Sequence, residues 1–400
     1  MKVLQISHKL PYPPLDGGSI VIHSLTEGLL RQGHQVKMLS MLSPKRAISL
    51  EEISPDYVFS TQLKAIYVDT KLKVFPALHN LLFQTESYHT SRFESVDFAK
   101  TLEGILKIEN FDVIQLESIF VLRYVDLIRR CSDAKIVLRT QNVEHIIWEN
   151  ISKNEKNPLK KWYLTKMSSR LKAFELERMG EVDAVIPITD FDARQIQAAR
   201  PDIARIKAIP FSISLDKFTG LDTEPTVQPN SIFHLGSMDW FPNVEAVDWF
   251  LEDVWKSSGL EKSATLHLAG KFMPDRIFDQ QSDSLIVEGK ISKPIEYMLD
   301  KQMMIVPLLS GSGIRVKIIE GMALGKVVIS TSLGANGINC EHNKNILIAD
   351  RPEEFCQAIK RCVEDPSFCK RIGEAAKDFA LQNFETGRVT EQFLSFYRSL

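Results

Sequence analysis

Four hundred residues is long for a single domain, and 44% hydrophobic with 25% charged residues is the composition of an ordinary globular chain. Lys and Arg number 49 against 51 Asp and Glu, a net charge of −2, which excludes the broad basic field that gathers nucleic acid. Nineteen Gly and 18 Pro, scattered, exclude collagen-like and low-complexity chains.

The N-terminal apolar stretch is too short for a signal-peptide core, and nowhere do 18 apolar residues run together. Five cysteines (131, 340, 356, 362, 369) are odd in number and lack CxxC spacing, which reads as a reduced, cytoplasmic protein without a zinc cage.

Short apolar or β-branched runs recur along the chain, each followed by a helix-length amphipathic segment. The first lies at 3–7. Its loop, His8 to Ser19, is long and Pro-rich and carries Gly17 and Gly18 at the start of a helix over 20–32. Paired glycines there admit a ligand to free backbone N–H groups, or else form a tight turn capped by Asp16 or Ser19. Further strands are expected at 36–41, 65–68, 113–116, 136–139, 184–188 and 205–209. An aromatic-rich excursion, 72–93, interrupts them.

After the strand at 136–139, residues 140–148 read TQNVEHIIW and offer Gln141 and His145 in a polar patch. The next segment, 151–172, carries seven Lys or Arg against one Glu, with Trp162 and Tyr163 embedded. It suits an anionic membrane surface, or it is a solvated helix that turns Trp162, Leu164 and Met167 to the core. Asp190 is read as the N-cap of the helix after 184–188.

Residues 211–230 are polar, hold Pro and Gly, and follow neither period, so the domain boundary and a hinge are expected there. Beyond it, strands are expected at 232–236, 265–269, 285–288, 303–307, 327–330 and 346–348, then helices to the end. Thirteen strands alternating with helices imply two α/β domains, each a doubly wound parallel sheet. Ligands of such sheets bind at the strand C-terminal ends.

The most informative loop follows 303–307. It reads SGSGIRVKIIEGMALGK, a Gly-Ser-Gly turn leading into a helix stopped by Gly325. Arg315 and Lys317 near a positive helix end are poorly explained by the dipole, which favours acids there, and suggest a diphosphate to be neutralised. Glu320, three residues further, suits sugar hydroxyls. The alternative is a surface ion-pair set.

Taken together, PYPPLDGGS, RTQNVEHIIWE, HLGSMDWFPNVEAVDWF, PLLSGSGIRVKIIEGMALGKVVIST and TSLGANGI make nearly the whole chain resemble a GT-B glycosyltransferase of the large family 4, in a subgroup tied to envelope or exopolysaccharide sugars. The resemblance implies two Rossmann-like domains facing a cleft. Residues 1–212 would take the acceptor, with 385–400 packing back on them, and 213–384 would take the donor, with closure bringing Arg315 and Lys317 towards Gly17 and Gly18. It implies retaining transfer from a UDP-, GDP- or ADP-sugar to a glycan or lipid-linked acceptor, with no cofactor and no metal. The nearest spelling of a metal-binding DxD is Asp190-Phe-Asp192. A cytoplasmic enzyme is expected, in peripheral contact with an anionic membrane through 151–172.

Within the family pattern, Glu320 matches the glutamate that binds the ribose, while Ser312 stands in place of the one that holds the transferred sugar. The family's diphosphate-gripping Arg and Lys fall on Ser237 and Pro242, so Arg315 and Lys317 are the expected replacements. Ser312, Gly313 and Ile314 line the donor loop, and Gly289 and Lys290 match the loop that cradles the nucleobase. Gln141 stands where relatives carry His, leaving His145, or no protein base, to serve the acceptor. A GT-B epimerase or phosphorylase, or a non-catalytic partner of the same fold, is the competing reading.

Overall fold

The computed structural model describes residues 1–14, 16–44, 52–84, 86–214, 227–311 and 313–400. It forms two compact units, Met1–Ser212 with Thr386–Leu400, and Ile213–Glu385. Most of the 211–230 segment and Ser312 lie outside the described residues.

The first unit holds a parallel sheet of β1 (Lys2–Ser7), β2 (Gln35–Leu42), β3 (Lys64–Tyr67), β4 (Val113–Glu117), β5 (Lys135–Thr140) and β6 (Ala184–Pro187) in the order β3-β2-β1-β4-β5-β6. The second holds β7 (Ser231–Leu235), β8 (Thr265–Ala269), β9 (Leu285–Gly289), β10 (Met303–Val306), β11 (Val327–Ser330) and β12 (Leu347–Ile348) in the order β12-β11-β10-β7-β8-β9. Both sheets are wired alike, each with a topological switch point where the first and fourth strands pair: β1 with β4, and β7 with β10. Helices cover both faces, so central strands are largely apolar; every residue of β10 is apolar and buried, while β1 and β4 also bury Gln5, Gln115 and Glu117.

Helix Gly17–Arg31 crosses the last helix, Thr386–Arg398, at Gly28, where any Cβ would collide with Thr390 Oγ1. Phe393 and Leu394 fill the core beside Val3, Leu25, Leu29 and Val113. The Phe393 ring also lies 5.0 Å from the guanidinium of the buried Arg139, which is 3.7 Å from Glu117. In the second unit, Met303, Ile305, Val327 and Ile329 pack with Phe355, Ile359 and Phe368.

Two expectations need correction. Residues 205–209 form no strand: Ile206 makes an isolated bridge to Val185 on the edge of β6, and beyond it the Ile209 N–H donates a single hydrogen bond to the Pro187 carbonyl at 3.0 Å. The ladder stops because Pro187 has no N–H to donate and Pro210 follows directly. The helix Asp190–Ala199 is capped by Thr189, whose hydroxyl accepts from the Asp192 N–H, so Asp190 is the first helical residue and not its cap. No helix among the described residues is long and apolar enough to cross a membrane.

Candidate functional site

At the switch point of the first unit, the loop after β1 opens with His8 and Lys9 and ends at Asp16. The Asp16 side chain caps helix Gly17–Arg31 by accepting from the Ser19 N–H at 2.9 Å, and it pairs with Lys9 Nζ at 2.7 Å. A Cβ on Gly18 would strike Lys9 Nζ and Gln141 Oε1, and Gln141 Nε2 donates to the Gly18 carbonyl at 3.3 Å. The absent side chain at Gly18 is thus what lets Lys9 and Gln141 converge.

A recess of about 150 Å³ lies beside this cluster, lined by His8, Lys9, Thr140, Gln141, Asn142 and Glu144 with Ser118–Phe120. His8 Nδ1 meets the Glu117 carbonyl at 3.1 Å. A carbonyl only accepts, so Nδ1 carries the proton and Nε2 keeps its lone pair. Burial, then the charge of Lys9, pulls His8 down to about 3, so the ring is neutral. Glu144 is pushed up to about 7 by burial first and by the neighbouring Glu175 second.

His145 turns the other way. It is 4% exposed, and its Nδ1 lies 2.8 Å from the fully buried Glu175 carboxylate. That carboxylate also accepts from the backbone N–H groups of Glu144 (3.0 Å) and His145 (2.9 Å), capping helix Glu144–Asn154. His145 fastens the helix start, and His8 is the imidazole that lines the recess. Nearby, a larger recess of about 840 Å³ is walled by Asn80, Tyr88, Arg92 and Arg123. Arg123 is held by Glu86 (2.6 Å) and Glu94 (2.7 Å). Arg92 donates to the carbonyls of Thr70 and His89.

In the second unit the loop after β10 returns through Gly311, at φ +107°, where a Cβ would meet the Trp240 ring at 2.9 Å. Helix Val316–Ala323 follows, with Arg315 at its N-cap position. Gly313 and Ile314 lie in the turn before it. The Arg315 guanidinium is stacked 5.3 Å from the Trp240 ring centroid and also reaches the Gly313 carbonyl. Lys317 Nζ donates to the Leu235 carbonyl at the end of β7 (3.0 Å) and to Asn243 Oδ1 (3.3 Å). Both acceptors are neutral. Burial pulls Arg315 down to about 10, and burial followed by repulsion from Arg315 pulls Lys317 down to about 7. Both cations are thus desolvated beside a helix start, where an anion would favour their charged forms.

Glu320 is half-buried one turn beyond Lys317. Gly289 closes β9 at φ +64°, with its carbonyl accepting from the Gly270 N–H at 2.7 Å, and Lys290 beyond it is exposed. Arg315, Lys317, Glu320, Gly313 and Ile314 are therefore one cluster, while Gly289 and Lys290 stand two strands away from β7 at the same end of the sheet. Gln141 and Gly18 form the cluster of the first unit, apart from His145. No group of three or more His, Cys, Asp or Glu able to hold a metal ion occurs among the described residues.

Residues 229–365 match the model of the family described as glycosyl transferases group 1. A curated relative, an uncharacterized 44.6 kDa protein in the cps region of Klebsiella pneumoniae, is 22% identical over 405 residues and covers 97% of each chain. Among solved structures, Anabaena Alr3699/HepE in complex with UDP and glucose superposes with a TM-score of 0.66 at 13% identity, covering 99% of each chain. Sucrose-phosphate synthase from Thermosynechococcus elongatus gives 0.67 at 16%, covering 100% of this chain and 99% of that one. Staphylococcus aureus TarM, in complex with UDP among other ligands, gives 0.66 at 11%, covering 99% of each chain. The chain has the GT-B glycosyltransferase fold, and the match to the group 1 glycosyl transferase model falls within its second unit.

On this GT-B frame, sequence reasoning missed His8, Glu175, Trp240 and Asn243 as parts of the two clusters. Only His8 carried a usable signal, as the first residue beyond a switch-point strand. Asn243 and Leu235 reach Lys317 across more than 70 residues of chain, which no local spacing reveals.

Proposed function

We propose that the chain transfers a sugar from a nucleoside-diphosphate donor to a glycan or lipid-linked acceptor in envelope or exopolysaccharide assembly, with retention of configuration and without a metal. In this reading the second unit takes the donor and the first unit the acceptor. The observation that carries it is the pair Arg315 and Lys317: partly desolvated cations at a helix start, at the switch point of the second sheet, with Lys317 satisfied by neutral acceptors among the described residues.

A diphosphate beside them would restore the charge that burial suppresses, and the gain would grow as the sugar–phosphate bond breaks. In the retaining step the anomeric carbon loses its bond to the β-phosphate oxygen and forms one to the acceptor oxygen on the same face. The acceptor proton passes to the departing phosphate. Arg315 and Lys317 would stabilise that phosphate, Glu320 would accept the ribose hydroxyls, and Gly313 and Ile314 would offer backbone groups. Gly289 and Lys290 would border the nucleobase. UDP in the HepE and TarM complexes and the cps-region relative support the donor class and the polysaccharide setting.

Calorimetric titration with UDP, GDP and ADP tests the reading. One of them should bind, and Lys317→Ala and Glu320→Ala should each abolish binding and turnover. Failure of all three to bind at millimolar concentration would refute the donor site. Turnover surviving in both variants would refute the residue assignment.

A further inference from the structure

Two helices of the first unit that touch each carry a pair of exposed apolar side chains. Helix Val74–Phe83 leaves Phe75 85% and Phe83 75% exposed. Helix Pro158–Met179 buries Leu164, Met167 and Leu171 but leaves Leu159 80% and Trp162 60% exposed. Trp162 therefore faces water rather than the core. Arg170 of the second helix donates to the carbonyls of Asn80 (3.1 Å) and Leu81 (3.0 Å), which ties it to the C-terminal end of the first.

Leu159 and Trp162 are three residues apart and share a helix face, and Lys166, four further on, joins it. Lys153, Lys156, Lys161 and Lys166 are exposed, and none has a carboxylate within 4.0 Å among the described residues. Lys160 alone of the nearby lysines is paired closely, with Glu155 at 2.5 Å. In a chain of net charge −2, this is a local positive field around exposed aromatic rings. Isolated in water, such a face gains nothing from its rings, and its lysines repel one another. Lipid phosphates satisfy the lysines and the acyl boundary takes the rings.

We propose that this face of the first unit docks on an anionic phospholipid surface. Phe75, Phe83, Leu159 and Trp162 enter the headgroup boundary, and Lys153, Lys156, Lys161 and Lys166 lie over the lipid phosphates. The 840 Å³ recess shares a wall with this face, because Pro76, His79, Asn80 and Phe83 line it, so a substrate carried in the membrane reaches it without leaving the surface.

The test is sedimentation of the full chain with vesicles of phosphatidylglycerol and phosphatidylcholine against phosphatidylcholine alone, at low and high salt. Binding is expected to the anionic vesicles only and to fade with salt. Reversing Lys153, Lys156, Lys161 and Lys166 to Glu should lower partitioning by about 1,000-fold or more, at ~1 kcal/mol per basic residue. The double substitution Phe75→Ser, Phe83→Ser should lower it by about 100-fold. Unchanged melting temperatures show that both variants are folded. Absence of binding to anionic vesicles, or wild-type binding by both variants, overturns the proposal. So does a stable dimer, lost on the double Phe substitution, which would assign the face to a second copy of the chain.

Discussion

If Lys317 grips a diphosphate, nucleotide binding must take up a proton, and the amount follows from the site. In the free protein, burial and the charge of Arg315 hold Lys317 at about 7. At pH 8, about one-tenth of molecules then carry an ammonium there. A diphosphate in contact restores the charge, moving the group back towards the ordinary lysine range, so about 0.8 proton should enter per nucleotide bound. The second phosphate ionisation is complete at pH 8 and does not obscure the count. Titrating UDP, or whichever diphosphate binds, in buffers of differing ionisation enthalpy should give a line of slope about 0.8. Affinity should weaken by up to about tenfold per pH unit above 7.5. The sign for the free protein is opposite. A lysine held below its unfolded value penalises the native state when charged, so stability should rise as pH goes from 7 to 10.5. Lys317→Met should remove both effects. A slope of zero in the wild type, or the same slope in Lys317→Met, refutes the reasoning.

Arg315→Ala should lower turnover by about 10²–10³-fold in a donor-hydrolysis or transfer assay if it stabilises the leaving diphosphate, with a smaller loss for Arg315→Lys. Glu144, raised to about 7 from an unfolded value near 4.5, costs native stability progressively as pH climbs through that window. Glu144→Gln should therefore match the wild type in thermal unfolding at pH 4 and exceed it at pH 8 by on the order of 1–2 kcal/mol, after allowance for partial exposure of the carboxylate; an offset independent of pH would contradict this. Phe393→Ala should destabilise the first unit by about 3–5 kcal/mol, lowering its unfolding temperature by about 10 °C. Gly28→Leu should do comparable damage by pushing Thr390 away, and a neutral result in calorimetry would show that the helix crossing is loose.

Twelve of the thirteen expected strands exist because parallel strands covered on both faces are near-continuous apolar runs, which 303–306 displays openly and 113–116 interrupts only at Gln115. The exception, 205–209, has the right residue types but lies between two prolines, and a ladder needs donors as well as β-branched side chains. Helix caps were harder: Thr189 and Asp190 are both good caps, and only the position of the Asp192 N–H decides between them. At the second switch point, the Gly-Ser-Gly turn and the RxK spacing were readable because strand, turn and helix are contiguous. The acceptors of Lys317 were not, since β7 and the loop after it are brought there by the sheet. Likewise a polar patch at 140–148 could be located, but which side chain faces the recess depends on Glu175. Its burial beneath the helix start turns His145 inward, and a charge in mid-helix gives no sign of that.

The last helix completes the core of a unit whose sheet was finished nearly 200 residues earlier. During synthesis, β1 to β6 emerge first but lack Val389, Phe393 and Leu394, so the surface of Leu25, Leu29 and Val113 that those residues cover stays wet while the second unit is being made. The second unit, continuous from Ile213 to Glu385, can close as soon as it leaves the ribosome. Translation order and order of completion are thus reversed, and the earlier half of the chain spends its synthesis as a waiting intermediate that a chaperone would have reason to guard.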